Sequence, residues 1–169
     1  MTSTATPPGL ARFNALEEQA AHTALLQVCA STPWARRLLA ARPYAAPGAL
    51  YAESDAATAA LTEADLAEAT AGHPPIGRPE PGDPASTHEQ RGMAGATDEL
   101  RAEMLELNLA SQEKFGHVFL IRATGRTAGE MRDAVRERLG NTPEKEREIV
   151  RTELGRINRI RLTRLVEED

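Results

Sequence analysis

The sequence predicts an all-α fold, a single compact bundle-like domain of about eight helices with one long Pro-rich loop. Aromatic residues make up only 4% of the 169-residue chain while 41% is apolar, so the core must come from Leu, Ile, Val and Ala on helices. Ser/Thr caps and Gly or Pro stops recur along the chain at helix-length intervals. Outside one short apolar piece, no segment alternates apolar and polar residues as a half-buried strand would.

Residues 1–9 are rich in Thr, Ser, Ala and Pro and read as a frayed lead-in, with the domain covering 10–169. Asn14 with Glu17 three residues on predicts a helix from there to about Cys29, with Leu16, Ala20, Ala24 and Val28 on one stripe. Thr32-Pro33 opens a second helix by the cap-then-proline signature. Two more follow over 47–61 and 62–71, the latter capped by Thr62 with Asp65 at its third position and stopped by Gly72. Residues 72–84 carry prolines at 74, 75, 79, 81 and 84, which excludes helix and central strand alike. Ser86-x-x-Glu89 has the capping-box form and predicts a helix through about Ala94. Thr97 caps the next, to about Glu113, with Leu100, Met104, Leu107 and Ser111 on one stripe and Gly116 as its stop. Val118–Ile121 is the short extended apolar piece. Thr127-x-x-Glu130 opens a helix to Leu139, and Thr142-Pro143 opens the last and longest, to about Val166.

Twenty Lys and Arg against 25 Asp and Glu leave a net charge of −5, which opposes broad binding to phosphate backbones, so no nucleic-acid partner is expected. Lys114 and Lys145 are the only lysines; the remaining positive charge is Arg, suited to two-pronged capture of carboxylates. A small anionic ligand is therefore compatible with the negative total. The lone Cys29 rules out an intrachain disulfide and suits a reducing compartment. The opening MTSTATPPG has neither a basic n-region nor an apolar h-region, and no apolar run approaches the roughly 18 residues of a membrane span. The expectation is a cytoplasmic chain with no membrane partner.

The sharpest physical clue lies in the last helix. At helical spacing Val150, Leu154, Ile157, Arg161 and Leu165 fall within a sector of about 80°, so Arg161 sits inside an apolar stripe. A guanidinium there must be paired or face a cavity; a structural ion pair or a snorkelling side chain explains it as well as a ligand does. His73, between a helix stop and Pro74, can serve as an acid or base near neutral pH, or be a loop histidine with no role. Glu89 is explained by its cap position alone. His22, His73, His88 and His117 show no metal-ligand spacing, so no metal is expected. The glycines at 72, 77 and 82 form no phosphate loop, and no G-x-S-x-G elbow occurs.

One ordered series of short motifs goes further. It runs His73-Pro74-x-Ile76-Gly77, Ser86-x-x-Glu89-Gln90, Leu107-Asn108, Lys114-Phe115-Gly116 with Phe119-Leu120-Ile121 behind, Arg138-Leu139-x-Asn141, and Ile157 to Leu162. The series resembles the 2-oxo-4-hydroxy-4-carboxy-5-ureidoimidazoline (OHCU) decarboxylase family of urate degradation, from about Phe13 to Leu165. The resemblance implies an all-helical, cofactor-free enzyme, a homodimer, that converts OHCU to (S)-allantoin and carbon dioxide. It implies His73 as proton donor, Glu89 as polar catalytic partner and Arg161 as the late-helix arginine. Pro74, Ser86 and Gln90 would line the substrate site, and backbone groups of Phe119, Leu120, Ile121, Arg122 and Ala123 would meet the ring. Pro75 and His117 depart from the family pattern, the first removing a backbone donor and the second replacing an aromatic Phe. Two other readings need different evidence. A non-catalytic interaction module would need an exposed apolar patch, and a lyase acting on another ureido or 2-oxo acid would show itself in a substrate panel.

Overall fold

A computed structural model describes residues 6–73 and 89–167, and every regular element among them is helical. Among the described residues the bounded α-helices are, in chain order, α1 Pro8–Ala15, α2 Glu18–Val28, α3 Thr32–Ala40, α4 Pro47–Ala59, α5 Glu63–Ala71, α6 Asp98–Phe115, α7 Ala128–Arg138 and α8 Pro143–Glu167. A single 3₁₀ turn, Arg91–Met93, precedes α6. The chain divides into two compact units, residues 1–69 with 155–169 and residues 70–154; α8 contributes to both.

The first unit is built around Trp34 of α3, fully buried, whose indole N–H donates to the buried Ser54 hydroxyl of α4 at 3.2 Å. Leu10, Phe13, Leu25, Leu38, Leu50, Leu162 and Val166 are among the other buried side chains of this unit. Its first helices differ from the sequence expectation. Asn14 lies in the last turn of α1 and caps nothing; its side-chain amide donates to Tyr44 C=O at 2.9 Å and its carbonyl accepts Tyr44 N–H at 2.9 Å. Leu16 and Glu17 are extended and break the helix there. The buried face of α2 is accordingly Ala21, Leu25 and Val28, not the stripe through Ala20 and Ala24. The start of α1 at Pro8 also brings Pro8 and Gly9 into the helix, with Gly9 buried. Ser31, rather than Thr32, caps α3 through Trp34 N–H.

The second unit packs Met93, Met104, Phe119, Ile121, Ala123, Ala128, Met131 and Val135 into one apolar cluster. Local signals hold well here. Thr97 caps α6, Thr127 and Glu130 form a reciprocal capping box on α7, and Gly116 stops α6 in the left-handed region at φ 80°, which glycine adopts without a Cβ clash. Thr62 and Asp65 exchange the same pair of bonds at the start of α5. The expected capping box at Ser86 lies outside the described residues; Glu89 is helical, and Arg91–Met93 then closes as a 3₁₀ turn, so the α-helix does not continue to Ala94. Gly92 sits where an added Cβ would lie 2.0 Å from Arg126 C=O, so only glycine lets this turn approach the 126 loop. Arg101 of α6 holds the far side of the turn, donating to Met93 C=O at 3.0 Å and Ala94 C=O at 3.2 Å.

Candidate functional site

The second unit carries most of the candidate residues. His73 follows the end of α5, is buried at 8% exposure, and its backbone N–H donates to Thr70 C=O at 3.0 Å, turning the chain at the helix terminus. Glu89 is half-buried and Gln90 buried. They lead into the 3₁₀ turn, whose Met93 shares the apolar cluster with Phe119, Ile121 and Ala123. Pro74 and Ser86 lie outside the described residues, as does Pro75.

Phe119, Leu120, Ile121 and Ala123 are buried at 2–5% exposure in a non-helical stretch. Buried backbone polar groups normally find partners, and here they do so unevenly. Leu120 C=O accepts from Arg138 Nη1 at 2.7 Å. Arg122 N–H donates to Glu153 Oε2 at 3.0 Å, and Arg122 C=O accepts from Arg126 Nε at 2.8 Å. Ile121, between them, makes no backbone hydrogen bond among the described residues through either its N–H or its C=O. The bonding of this stretch thus ties both neighbours and passes over Ile121. It leaves a one-residue donor–acceptor edge complementary to an amide or ureido group. The Arg122 side chain is half-buried, and its Nε has no partner among the described residues.

Arg138, Glu146 and Glu153 carry this arrangement, and of the three only Arg138 stands in the motif series, there without a role. Arg138 Nε reaches both oxygens of the fully buried Glu146 at 2.9 and 3.2 Å, Nη2 bonds the same carboxylate, and the guanidinium lies 4.4 Å over the Phe119 ring. Asn141 Nδ2 also donates to Glu146, at 3.3 Å. In the sequence, Glu146 is indistinguishable from Glu144, the other acid of the first turn of α8, since either favours a helix N-terminus wherever it points. The Arg138-Leu139-x-Asn141 motif was the one available signal. His117 stacks on Phe115 at 6.1 Å, and its Nδ1 lies 3.0 Å from Val118 C=O.

Arg161 belongs to the first unit. Val150, Leu154 and Ile157 of its stripe are buried, and Arg161 itself is half-buried with Nη1 donating to Val28 C=O at 3.0 Å at the end of α2. Beside it, burial pushes the Cys29 thiol up to about 11, against the opposing pull of hydrogen bonds from the Ser31 backbone and the Asn158 side chain and of the Arg161 charge. Asn158, one helical turn before Arg161, is fully buried, donates to Thr58 Oγ1 at 3.4 Å, and keeps its Oδ1 without a partner among the described residues. No group of three or more metal-ligating side chains occurs among the described residues. No helix among them is long and apolar enough to cross a membrane.

Comparison with known proteins bears on the family and the fold. The family model described as OHCU decarboxylase matches residues 14–163. The uric acid degradation bifunctional protein TTL of Arabidopsis thaliana is 31% identical over 147 residues, covering 83% of this chain and 45% of that protein, so the chain spans about half the length of this curated relative. A crystal structure of OHCU decarboxylase in the presence of (S)-allantoin superimposes with a TM-score of 0.77 at 26% identity, covering 91% of this chain and all of that one. A crystal structure of (S)-allantoin synthase shares the fold, with a TM-score of 0.69 at 16% identity, covering 93% of this chain and 54% of that one. A match over residues 14–163, in a chain whose helices and ordered motifs fit it, shows that the chain belongs to the OHCU decarboxylase family.

Proposed function

We propose that the chain decarboxylates OHCU to (S)-allantoin in urate degradation, without metal or organic cofactor. The observation that carries the reading is the Ile121 edge. A buried backbone N–H and C=O, left open between two tied neighbours, suits the adjacent donor and acceptor of a ureido-imidazoline ring, and unmatched ring groups would be penalised there.

The chemistry follows from the residues assigned. Arg161 pairs with the substrate carboxylate, and the Ile121 edge sets the plane of the ring. The bond from the ring carbon to the carboxyl carbon breaks, carbon dioxide leaves, and the electron pair stays on the ring carbon, delocalised into the adjacent imine. Glu89 and Gln90 orient the ring substituents. His73, acting as general acid, delivers a proton to one face of the ureido-bearing ring carbon, while the hydroxyl on the decarboxylated carbon passes its proton to the former imine nitrogen and becomes the carbonyl of allantoin, so the product is S rather than racemic. Pro74, Ser86 and the backbone of Phe119 to Ala123 complete the lining. The working form is a cytoplasmic homodimer acting on a small anionic substrate. The interaction-module reading needs an apolar surface patch, and among the described residues Leu109, 58% exposed, is the one large exposed hydrophobe.

His73→Ala tests the proton-donor role. The variant should keep its helical circular dichroism and lose stereoselective turnover; full activity would remove the role. Arg161→Ala should act mainly through KM, and an unchanged KM would count against its place at the carboxylate.

A further inference from the structure

We infer that Arg138 and Glu153 are positioning residues that aim the two polar groups of Ile121 by holding the peptide planes on either side of it. The inference rests on the reading of residues 119–123 as the recognition segment. A peptide unit is planar and trans, so its C=O and its N–H point in opposite directions. Leu120 C=O and Ile121 N–H share one plane, and Arg138 Nη1 holds that carbonyl at 2.7 Å. Ile121 C=O and Arg122 N–H share the next, and Glu153 Oε2 holds that N–H at 3.0 Å. Each anchor therefore turns one Ile121 group away from itself. The two planes meet at Ile121, so the two anchors together fix the directions of both its polar groups.

Both anchors are themselves fixed. Arg138 is 7% exposed and locked by Glu146 and the Phe119 ring. Glu153 is also 7% exposed, and Arg126, whose Nη2 lies 4.0 Å from the Glu153 carboxylate, ties Arg122 C=O from its own Nε. An arginine in the last turn of a helix commonly serves only its own C-terminus. Arg138 instead reaches across to two consecutive residues of another segment. A buried ion pair is no more stabilising than apolar packing of the same volume, so what the pair contributes here is orientation.

The test measures (S)-allantoin binding, KM for OHCU and product enantiomeric excess in Arg138→Lys, Glu153→Ala and Glu153→Gln, each at a temperature where circular dichroism shows it folded. Losing one anchor should weaken (S)-allantoin binding and raise KM roughly tenfold, the size of one misaligned hydrogen bond, and lower the enantiomeric excess. Glu153→Gln keeps an acceptor oxygen and should recover most of what Glu153→Ala loses. If Arg138→Lys does not fold, the two Glu153 variants decide alone. The Ile121 amide resonance of the unaltered protein separates the two claims. A resonance that does not move on saturation with (S)-allantoin overturns the recognition reading and the inference with it. A resonance that moves, with folded variants binding as the parent does, overturns the inference alone.

Discussion

Glu146→Ala is the most informative single change for the second unit. The substitution leaves the Arg138 guanidinium buried at 7% exposure with its carboxylate partner gone, and leaves the Asn141 amide without its acceptor. Removing one member of a buried pair costs about 3–5 kcal/mol, most of it the uncompensated charge. For a chain of this size, each kcal/mol moves Tm by about 2–4 °C, so a fall of about 6–20 °C is expected. Urea unfolding followed by circular dichroism gives the free energy directly, and the loss should be nearly the same at low and high salt, because a buried pair is little screened. Arg37→Ala is the control. Its partner is Glu53 at 2.7 Å, but the two side chains are 43% and 29% exposed, and such a pair is worth about 0–1 kcal/mol. The double change Arg138→Met with Glu146→Leu should recover most of the stability, since apolar groups of similar volume replace a buried pair at little cost. A loss below about 1 kcal/mol in Glu146→Ala, or one abolished by salt, would refute the description of this pair as a buried, unscreened anchor.

Further changes address other parts of the molecule. Cys29 has its thiol raised from 9.0 to about 11 by burial, so the folded state favours the protonated form; its stabilising contribution is complete below about 9 and is lost as pH rises towards about 11. Alkaline unfolding should therefore be shallower in Cys29→Ala, and Ellman's reagent should react with the parent only after denaturant is added; rapid native-state labelling at pH 8 would contradict the burial. Gly92→Ala places a methyl 2.0 Å from Arg126 C=O and should destabilise by about 1–3 kcal/mol, whereas Gly95→Ala, with nothing within 4 Å, should be nearly silent; urea midpoints compare the two.

What could be read in the sequence was local. Thr62, Thr97 and Thr127 cap their helices because a hydroxyl two or three residues from an orphan N–H needs no tertiary help. Gly116 ends α6 for the same kind of reason. Arg161 stood out because a charge in an apolar stripe breaks a helical period, and it is found half-buried on that stripe. Asn14 misled because its partner, the Tyr44 backbone, is 30 residues away, and the same side chain could have capped a helix. The roles of Arg138, Glu146 and Glu153 depend on which way helical side chains point once α7 and α8 are packed, which spacing alone does not decide. Ile121 was named only as one of a run of backbone contacts; that its N–H and C=O are the open ones depends on what its neighbours bind, and no side chain encodes that.

The central claim is the reaction itself. OHCU generated in situ from urate with urate oxidase and hydroxyisourate hydrolase, with this protein added and no metal or cofactor supplied, should give a fast, protein-dependent circular dichroism signal of (S)-allantoin. A slow racemic background unchanged by the protein would contradict the account, and would mean that the family fold is kept here for a different substrate.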